Sequence, residues 1–212
     1  MKILIYSDIH GNLPAFEQML KREQDSEGYI CLGDLVNYGP WSNECVDLAC
    51  SLPNSILLTG NHEEAFIDGV YPGNQDLVKE FFKVTFPYFD RFDSINKFIK
   101  EFEIGVYTCK HTISNKNIYP DTNINLDRNY IIGHSHHQFE YSNNGFKLYN
   151  AGSVGQNRKY IDIANYLIYE TETHSIEMEH LIYDIDILIN EMGNRNYPEA
   201  CINYYLQKKR YR

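Results

Sequence analysis

The residues of this chain able to do chemistry fall into short groups. Asp8 and His10 stand two apart in Ser7-Asp8-Ile9-His10, Asp34 follows Gly33, Asn61 and His62 follow Gly60, His111 follows Lys110, and His134 and His136 stand two apart behind Gly133. With His62 set aside, the other seven supply two carboxylates, one amide oxygen and four imidazoles. An oxygen and nitrogen donor set free of thiolates suits Mn²⁺, Fe²⁺ or Zn²⁺ better than Ca²⁺ or an iron–sulfur cluster. Seven donors exceed what one ion normally takes from a protein, so two ions sharing a bridging carboxylate are the economical reading. Ions roughly 3.5 to 4 Å apart lower the pKa of a bridging water, hold phosphoryl oxygens and stabilise charge at both ends of an in-line displacement. Ligands on two adjacent residues are awkward, whereas a free imidazole beside the ions can protonate a departing alkoxide. His62 is therefore the expected general acid. Glu63 is expected either to orient that imidazole by accepting its other N–H, or to begin a helix as an exposed residue.

A lone histidine among these would read as an ordinary core or surface residue. What lifts the group above that reading is where the residues stand. ILIY precedes Asp8, YICL precedes Asp34, SILLT precedes Asn61, GVYTC precedes His111 and YII precedes His134. Each run has the length and the β-branched or aromatic character of a buried strand. Between the first runs the pattern turns helical. Leu13, Phe16, Met19 and Leu20 share a face behind Asn12, a fair N-cap, and Cys45, Leu48 and Ala49 do so behind Ser42. Alternating strands and helices imply parallel strands with crossover connections, whose ligand crevice lies beyond the strands' carboxyl ends. All five groups then collect at one edge.

From residue 63 to 103 the spacing predicts helices. Leu77, Phe81 and Val84 share one face, and Ile95, Phe98, Ile99 and Phe102 another, capped by Asp93 or Ser94. This segment is expected either to pack against the sheet or to form a partial lid over the site. Strand-like runs return between 145 and 178, and helical patterns near 185–192 and 199–208. His137 should point away from His136 if strand geometry persists, and His174, His180 and Asp184 receive no role in the site.

Length and composition bound the rest. With 212 residues and 43% hydrophobic content, the expectation is one domain spanning 1–212. The first apolar run is too short for a signal peptide or a membrane span, which makes the expected location cytoplasmic and the expected contact with membranes none. Five cysteines without a C-x-x-C pair predict no disulfide framework. A net charge of −10 argues against sequence-independent binding of duplex nucleic acid. The basic run KKRYR near the end reads as a solvated tail. The oligomeric state leaves no mark on the sequence.

In order, D-x-H, G-D, G-N-H-E, a lone strand-end histidine and G-H-x-H resemble the calcineurin-like metallophosphoesterase superfamily, from Asp8 to His136. YNAGSVGQNR is similar to the N-P-G-S-V-G-Q-P-R loop of its small bacterial phosphodiesterase branch. The resemblance implies an α/β fold, a four-layer α-β-β-α sandwich of two mixed sheets flanked by helices with the metal site at strand C-terminal ends. It implies one ion on Asp8, His10 and His136, a second on Asn61, His111 and His134, Asp34 bridging both, and His62 as the catalytic histidine. Mn²⁺ is the expected ion, with Fe, Zn or Ni as alternatives. The sequence departs from the branch at Asn37, at Lys110-His111-Thr112, at Ala151 and Asn157 in place of prolines, and in a short segment between His111 and Gly133. Where the protein phosphatases and symmetrical dinucleoside tetraphosphate hydrolases of the superfamily carry G-D-x-V-D-R-G, Tyr38 replaces the arginine, so a bidentate partner for a phosphomonoester dianion is missing. The expected activity is hydrolysis of a small phosphodiester, with Asn37 and Arg158 as candidate substrate contacts. The alternatives are a phosphomonoesterase or nucleotide polyphosphate hydrolase on the same site, and a catalytically silent metal-binding scaffold.

Overall fold

The computed structural model describes residues 1–211. Its first sheet is built from β1 (Lys2–Tyr6), β2 (Gly28–Cys31), β3 (Ser55–Leu57), β9 (Ile163–Glu170) and β10 (Ser175–Ile182), in the order β10-β9-β1-β2-β3. β1, β2 and β3 are mutually parallel, and β9 closes antiparallel on β1. The second sheet has the order β4-β5-β6-β8-β7, from β4 (Glu101–Ile104), β5 (Tyr107–Lys110), β6 (Asn129–Ile132), β7 (Gln138–Asn143) and β8 (Phe146–Ala151). Here β5, β6 and β8 run parallel and the outer strands antiparallel. Both sheets are therefore mixed, as expected.

Side-chain alternation along each strand sorts the apolar residues into layers. Ile3, Ile5, Ile30, Leu32, Cys109, Ile131 and Leu167 fill the space between the sheets. Their neighbours Leu4, Tyr6, Cys31, Ala164 and Tyr166 face the other way. Seven helices gather over that outer face: α1 (Leu13–Arg22), α2 (Ser42–Ser51), α3 (Asn61–Asp68), α4 (Asp76–Thr85), α5 (Phe92–Ile95), α6 (Asp186–Asn194) and α7 (Glu199–Leu206), all of which contribute to the same core cluster. On the outside of the second sheet, Tyr130, Ile132, Phe139 and Leu148 pack under Ile118 and Leu126 from the segment between β5 and β6, which carries no helix.

α1 starts as its sequence dictates. Asn12 Oδ1 accepts the Ala15 N–H at 3.3 Å, Leu13-Pro14 opens the helix, and Lys21 and Arg22 sit at its negative end. Two readings fail. The helix expected through Ile95 to Phe102 stops at Ile95, and Glu101–Ile104 instead forms β4, a hairpin with β5 through Gly105 at φ 56°. Glu-Phe-Glu-Ile alternates with period two, and its Phe102 and Ile104 enter the layer between the sheets. Of the KKRYR run, Lys208 to Tyr211 make specific contacts with the fold instead of forming a free tail, and Arg212 lies outside the described residues. Lys208 and Lys209 lie over the rings of Tyr204 and Tyr160, Arg210 pairs with Asp186, and the Tyr211 N–H reaches Asp162. No described helix is long and apolar enough to cross a membrane.

Candidate metal centre

Five strand ends deliver their polar residues to one place. β1 brings Asp8 and His10, β2 brings Asp34, β3 brings Asn61 and His62, β5 brings His111, and β6 brings His134 and His136. Three donor groups result: Asp8/His10/His136, Asp34/His111/His134 and, sharing a member with each, His10/Asp34/His62. In the first, His136 Nε2 is 3.0 Å from Asp8 Oδ1 and 3.1 Å from His10 Nε2. In the second, His111 Nε2 is 3.3 Å from Asp34 Oδ2, 3.0 Å from Asn61 Oδ1 and 3.1 Å from His134 Nδ1. Asp34 Oδ2 also lies 3.9 Å from His10 Nε2, which sets one carboxylate oxygen between the two groups. His137 turns away, its Nδ1 on the Ser135 carbonyl and its ring against Tyr119.

Backbone carbonyls orient the imidazoles. His10 Nδ1 lies 3.2 Å from Val36 O, His111 Nδ1 2.9 Å from Leu32 O, and His136 Nδ1 3.0 Å from Gln156 O. A carbonyl only accepts, so each Nδ1 carries a hydrogen, and each ring in its neutral form aims its Nε2 lone pair inward. Lone pairs facing one another at 3.1 Å repel unless a cation lies between them. Asp8 Oδ1 is buried and has no hydrogen-bond donor, while Oδ2 accepts the His134 N–H at 2.9 Å. An orphaned buried carboxylate oxygen among inward lone pairs is what divalent cations would satisfy, so the donor set fits them. Burial pushes the pKa of His136 down to about 4, against the pull of Asp8, and also lowers that of His134. His111 differs: burial works against its charge, but Asp34, Asp8 and Glu63 together outweigh burial and raise it to about 10. Despite burial, Asp34 is held below its ordinary value by His111 and His62.

The backbone is strained to make this convergence. Asp8, His10, Asp34, His134 and His136 all have φ between 52° and 69°, a region side chains other than glycine's seldom enter. Such conformations persist where the surroundings over-determine them. The loop after β8 provides part of that support: Ser153 Oγ donates to Asp8 O at 2.7 Å, and the N–H groups of Val154 and Gly155 reach Ser7 O and Asp8 O. Gly60 is required for another reason. A Cβ there would fall on the Asp34 carboxylate and lie 2.6 Å from the Asp34 nitrogen.

Glu63 fulfils neither expectation. It is fully buried, and its carboxylate makes no hydrogen bond to the His62 ring, whose Nδ1 is on Asn37. Its carboxylate accepts four backbone N–H groups: Gly60 at 2.8 Å, Asp34 at 2.7 Å, Leu35 at 2.7 Å and Val36 at 3.3 Å. One side chain thus closes the first turn of α3 and clamps the loop that carries Asp34. Glu63→Ala strands those donors in the interior, each at roughly 1–3 kcal/mol. A total loss of about 3 kcal/mol or more is expected, read as a lower urea midpoint with an unchanged slope; a stability loss under about 0.5 kcal/mol (about half of the smallest single-donor cost) contradicts the clamp.

Asn37, the first candidate substrate contact, is fully buried and has both ends of its amide engaged. It touches His62 rather than open space, a correction to the sequence reading. Arg158, the second, is exposed at the rim, donates to Tyr204 Oη, and is near enough that its charge disfavours protonation of His136. Tyr38, marked in the sequence only as standing in place of an arginine, and Tyr71, which the sequence did not single out, complete the wall. Tyr38 packs edge-on to His10 at 4.7 Å and tilted to His62 at 5.3 Å, and Tyr71 stacks on His62 at 5.7 Å. A cleft of about 820 Å³ opens on the other side, lined by Asn61, Lys100, Lys110, His111, Ser114 and His134.

Residues 1–189 match the calcineurin-like phosphoesterases. The chain belongs to that family. This phosphoesterase is 27% identical to an uncharacterised protein of Methanocaldococcus jannaschii, over 93% of its own length and 94% of the relative's. Its fold is similar to that of a metallophosphoesterase from Sphaerobacter thermophilus, with a TM-score of 0.82, 24% identity and coverage of 98% and 99% of the two chains. It is also similar to that of an archaeal phosphodiesterase, with a TM-score of 0.51, 20% identity and coverage of 85% and 100%. Membership makes the protein a metal-dependent phosphoester hydrolase, and its buried histidine and aspartate groups are able to hold the divalent metal that such enzymes use.

Proposed function

We propose that this phosphoesterase hydrolyses a small phosphodiester on a site that takes two divalent ions, with Mn²⁺ as the working metal. The observation that carries the two-ion reading is Asp34 Oδ2, which stands between His10 and His111. Asp8, His10 and His136 would hold one ion, Asn61, His111 and His134 the other, and Asp34 both. Bound there, divalent ions polarise a phosphoryl group and make water a better nucleophile. The chain's own residues do the rest. His62, whose ring stands edge-on to His10 at 4.8 Å, donates to the departing oxygen as the phosphorus–oxygen bond breaks. Arg158 meets a phosphoryl oxygen from the rim.

The charge inventory supports a diester. Lys110 is neutralised by Glu101 at 2.7 Å and Lys100 by Glu64 at 3.3 Å, and Tyr38 contributes no charge. Arg158, whose charge acts on His136, pairs with no carboxylate among the described residues, and a single guanidinium there suits a monoanion. The phosphodiesterase among the fold neighbours is in keeping with this reading. Rates on a bis-aryl phosphate and on the corresponding aryl phosphate, measured after chelation and Mn²⁺ reconstitution, test it. Chelation should abolish turnover, Mn²⁺ should restore it, and the diester should be the faster substrate. Turnover confined to the monoester overturns the diester assignment, and turnover unaffected by chelation overturns the metal requirement.

A further inference from the structure

The hydrogen bonds around Asn37 decide which nitrogen of His62 carries the proton. The amide lies with Oδ1 2.8 Å from the Tyr38 backbone nitrogen and 3.0 Å from Thr85 Oγ1, and with Nδ2 2.9 Å from His62 Nδ1. A backbone N–H can only donate, so the atom facing Tyr38 must be the amide oxygen. The atom facing His62 is then the NH₂ group, itself only a donor. His62 Nδ1 must accept, and the neutral ring carries its hydrogen on Nε2. The amide has no freedom to reverse. Asn37 is fully buried in a left-handed turn at φ 72°, and its own N–H is tied to Ser42 Oγ at 3.1 Å. Tyr38 and Tyr71 pack against the ring and restrict its rotation. Nε2 is left as the ring nitrogen without a protein partner among the described residues.

We propose that Asn37 is a positioning residue that fixes the proton of His62 on Nε2, so that the site presents substrate with an N–H donor rather than with a basic lone pair. This rests on the hydrolytic reading above and deepens it. Held in that tautomer, His62 cannot take a proton from the attacking water through Nε2; it serves the leaving oxygen instead. The substrate class narrows to phosphoesters whose departing oxygen gains from a hydrogen bond and is tolerably stable as an anion, aryl esters and phosphoanhydrides before simple alkyl esters. The inverse exchange is known for other catalytic histidines, where putting an amide behind a ring that needs a carboxylate selects the wrong tautomer and costs about 10⁴-fold in kcat.

The test uses the full chain loaded with diamagnetic Zn²⁺ and labelled with ¹⁵N-histidine, the His62 signals being assigned by their loss in His62→Gln. Wild type should show the Nε2–H pattern for His62. Asn37→Asp, nearly identical in size, puts an acceptor against Nδ1 and should move the proton there. In Mn²⁺-loaded enzyme the same variant should lose on the order of 10²-fold in kcat on an aryl diester with KM within about twofold. An Nδ1–H pattern in wild type, or an unchanged pattern and kcat in Asn37→Asp, overturns the inference. The resonance pattern is read whether or not the protein turns over substrate. Inactivity of the wild type on every phosphodiester therefore overturns the hydrolytic reading without touching the tautomer assignment.

Discussion

Asp34→Ala is expected to abolish both metal binding and turnover, the largest effect of any single change in this protein. Three separate contributions disappear together. Oδ2 is the oxygen between the two histidine groups, 3.3 Å from His111 and 3.9 Å from His10. Oδ1 accepts the His62 N–H at 2.9 Å and so ties the first turn of α3 to the loop after β2. Against burial, the charge itself leads Asp8 and Glu63 in raising the pKa of His111 to about 10. In the metal-free chain at neutral pH that ring holds a proton, which ligation must displace. Without Asp34 four imidazoles face one remaining carboxylate, and nothing offsets the repulsion between two divalent ions. Dialysis against Mn²⁺ followed by elemental analysis should find less than one ion per chain in the variant. Activity should fall below about 10⁻⁴ of wild type, the loss associated with dismantling a catalytic unit rather than trimming it. A variant that retained full metal content would remove Asp34 from its bridging role.

His62→Ala should behave in the opposite way with respect to metal. His62 stands with His10 and Asp34 in a possible donor group, but its Nδ1 is already engaged by Asn37 and its ring is packed by Tyr38 and Tyr71. Burial pushes its pKa down to about 3, even with Asp34 nearby, so the ring is neutral across the physiological range. Removing it should leave the metal content of wild type and lower kcat by about 10²- to 10⁴-fold, the range for loss of a positioned donor to a leaving group. The deficit should shrink as the leaving group improves, because an oxygen that departs readily as an anion needs less help. Equal losses across a series of aryl leaving groups would point to a role in holding substrate, and loss of metal would make His62 a ligand.

Much of this arrangement was legible before any coordinates, for a physical reason. A parallel strand delivers its C-terminal residues to one edge of a sheet, so an apolar run followed by Asp, Asn or His states both an element and a destination. β1 with Asp8 and His10, and β6 with His134 and His136, could be read that way. The supporting contacts could not. Glu63 clamps the backbone of Asp34, Leu35 and Val36 across a gap of 27 to 29 residues, and nothing in Asn-His-Glu-Glu announces a partner made of backbone N–H groups. Asn37 looked like a substitution facing substrate because its partner His62 lies 25 residues away. Tyr38 was noticed only as a missing arginine and Tyr71 was lost among eighteen tyrosines, since ring packing around a site has no period along the chain. β4 was misread because Ile95, Phe98, Ile99 and Phe102 satisfy a helical spacing while Phe102 and Ile104 satisfy a strand's, and pairing with β5 decides between them.

The central claim is that Asp34 bridges two ions, and electron paramagnetic resonance of the Mn²⁺-reconstituted protein addresses it most directly. Two Mn²⁺ ions joined through a shared carboxylate oxygen are magnetically coupled, so the expected spectrum is that of a coupled pair, at two ions per chain. An isolated Mn²⁺ signal at saturating metal, with a single ion per chain, would contradict the account.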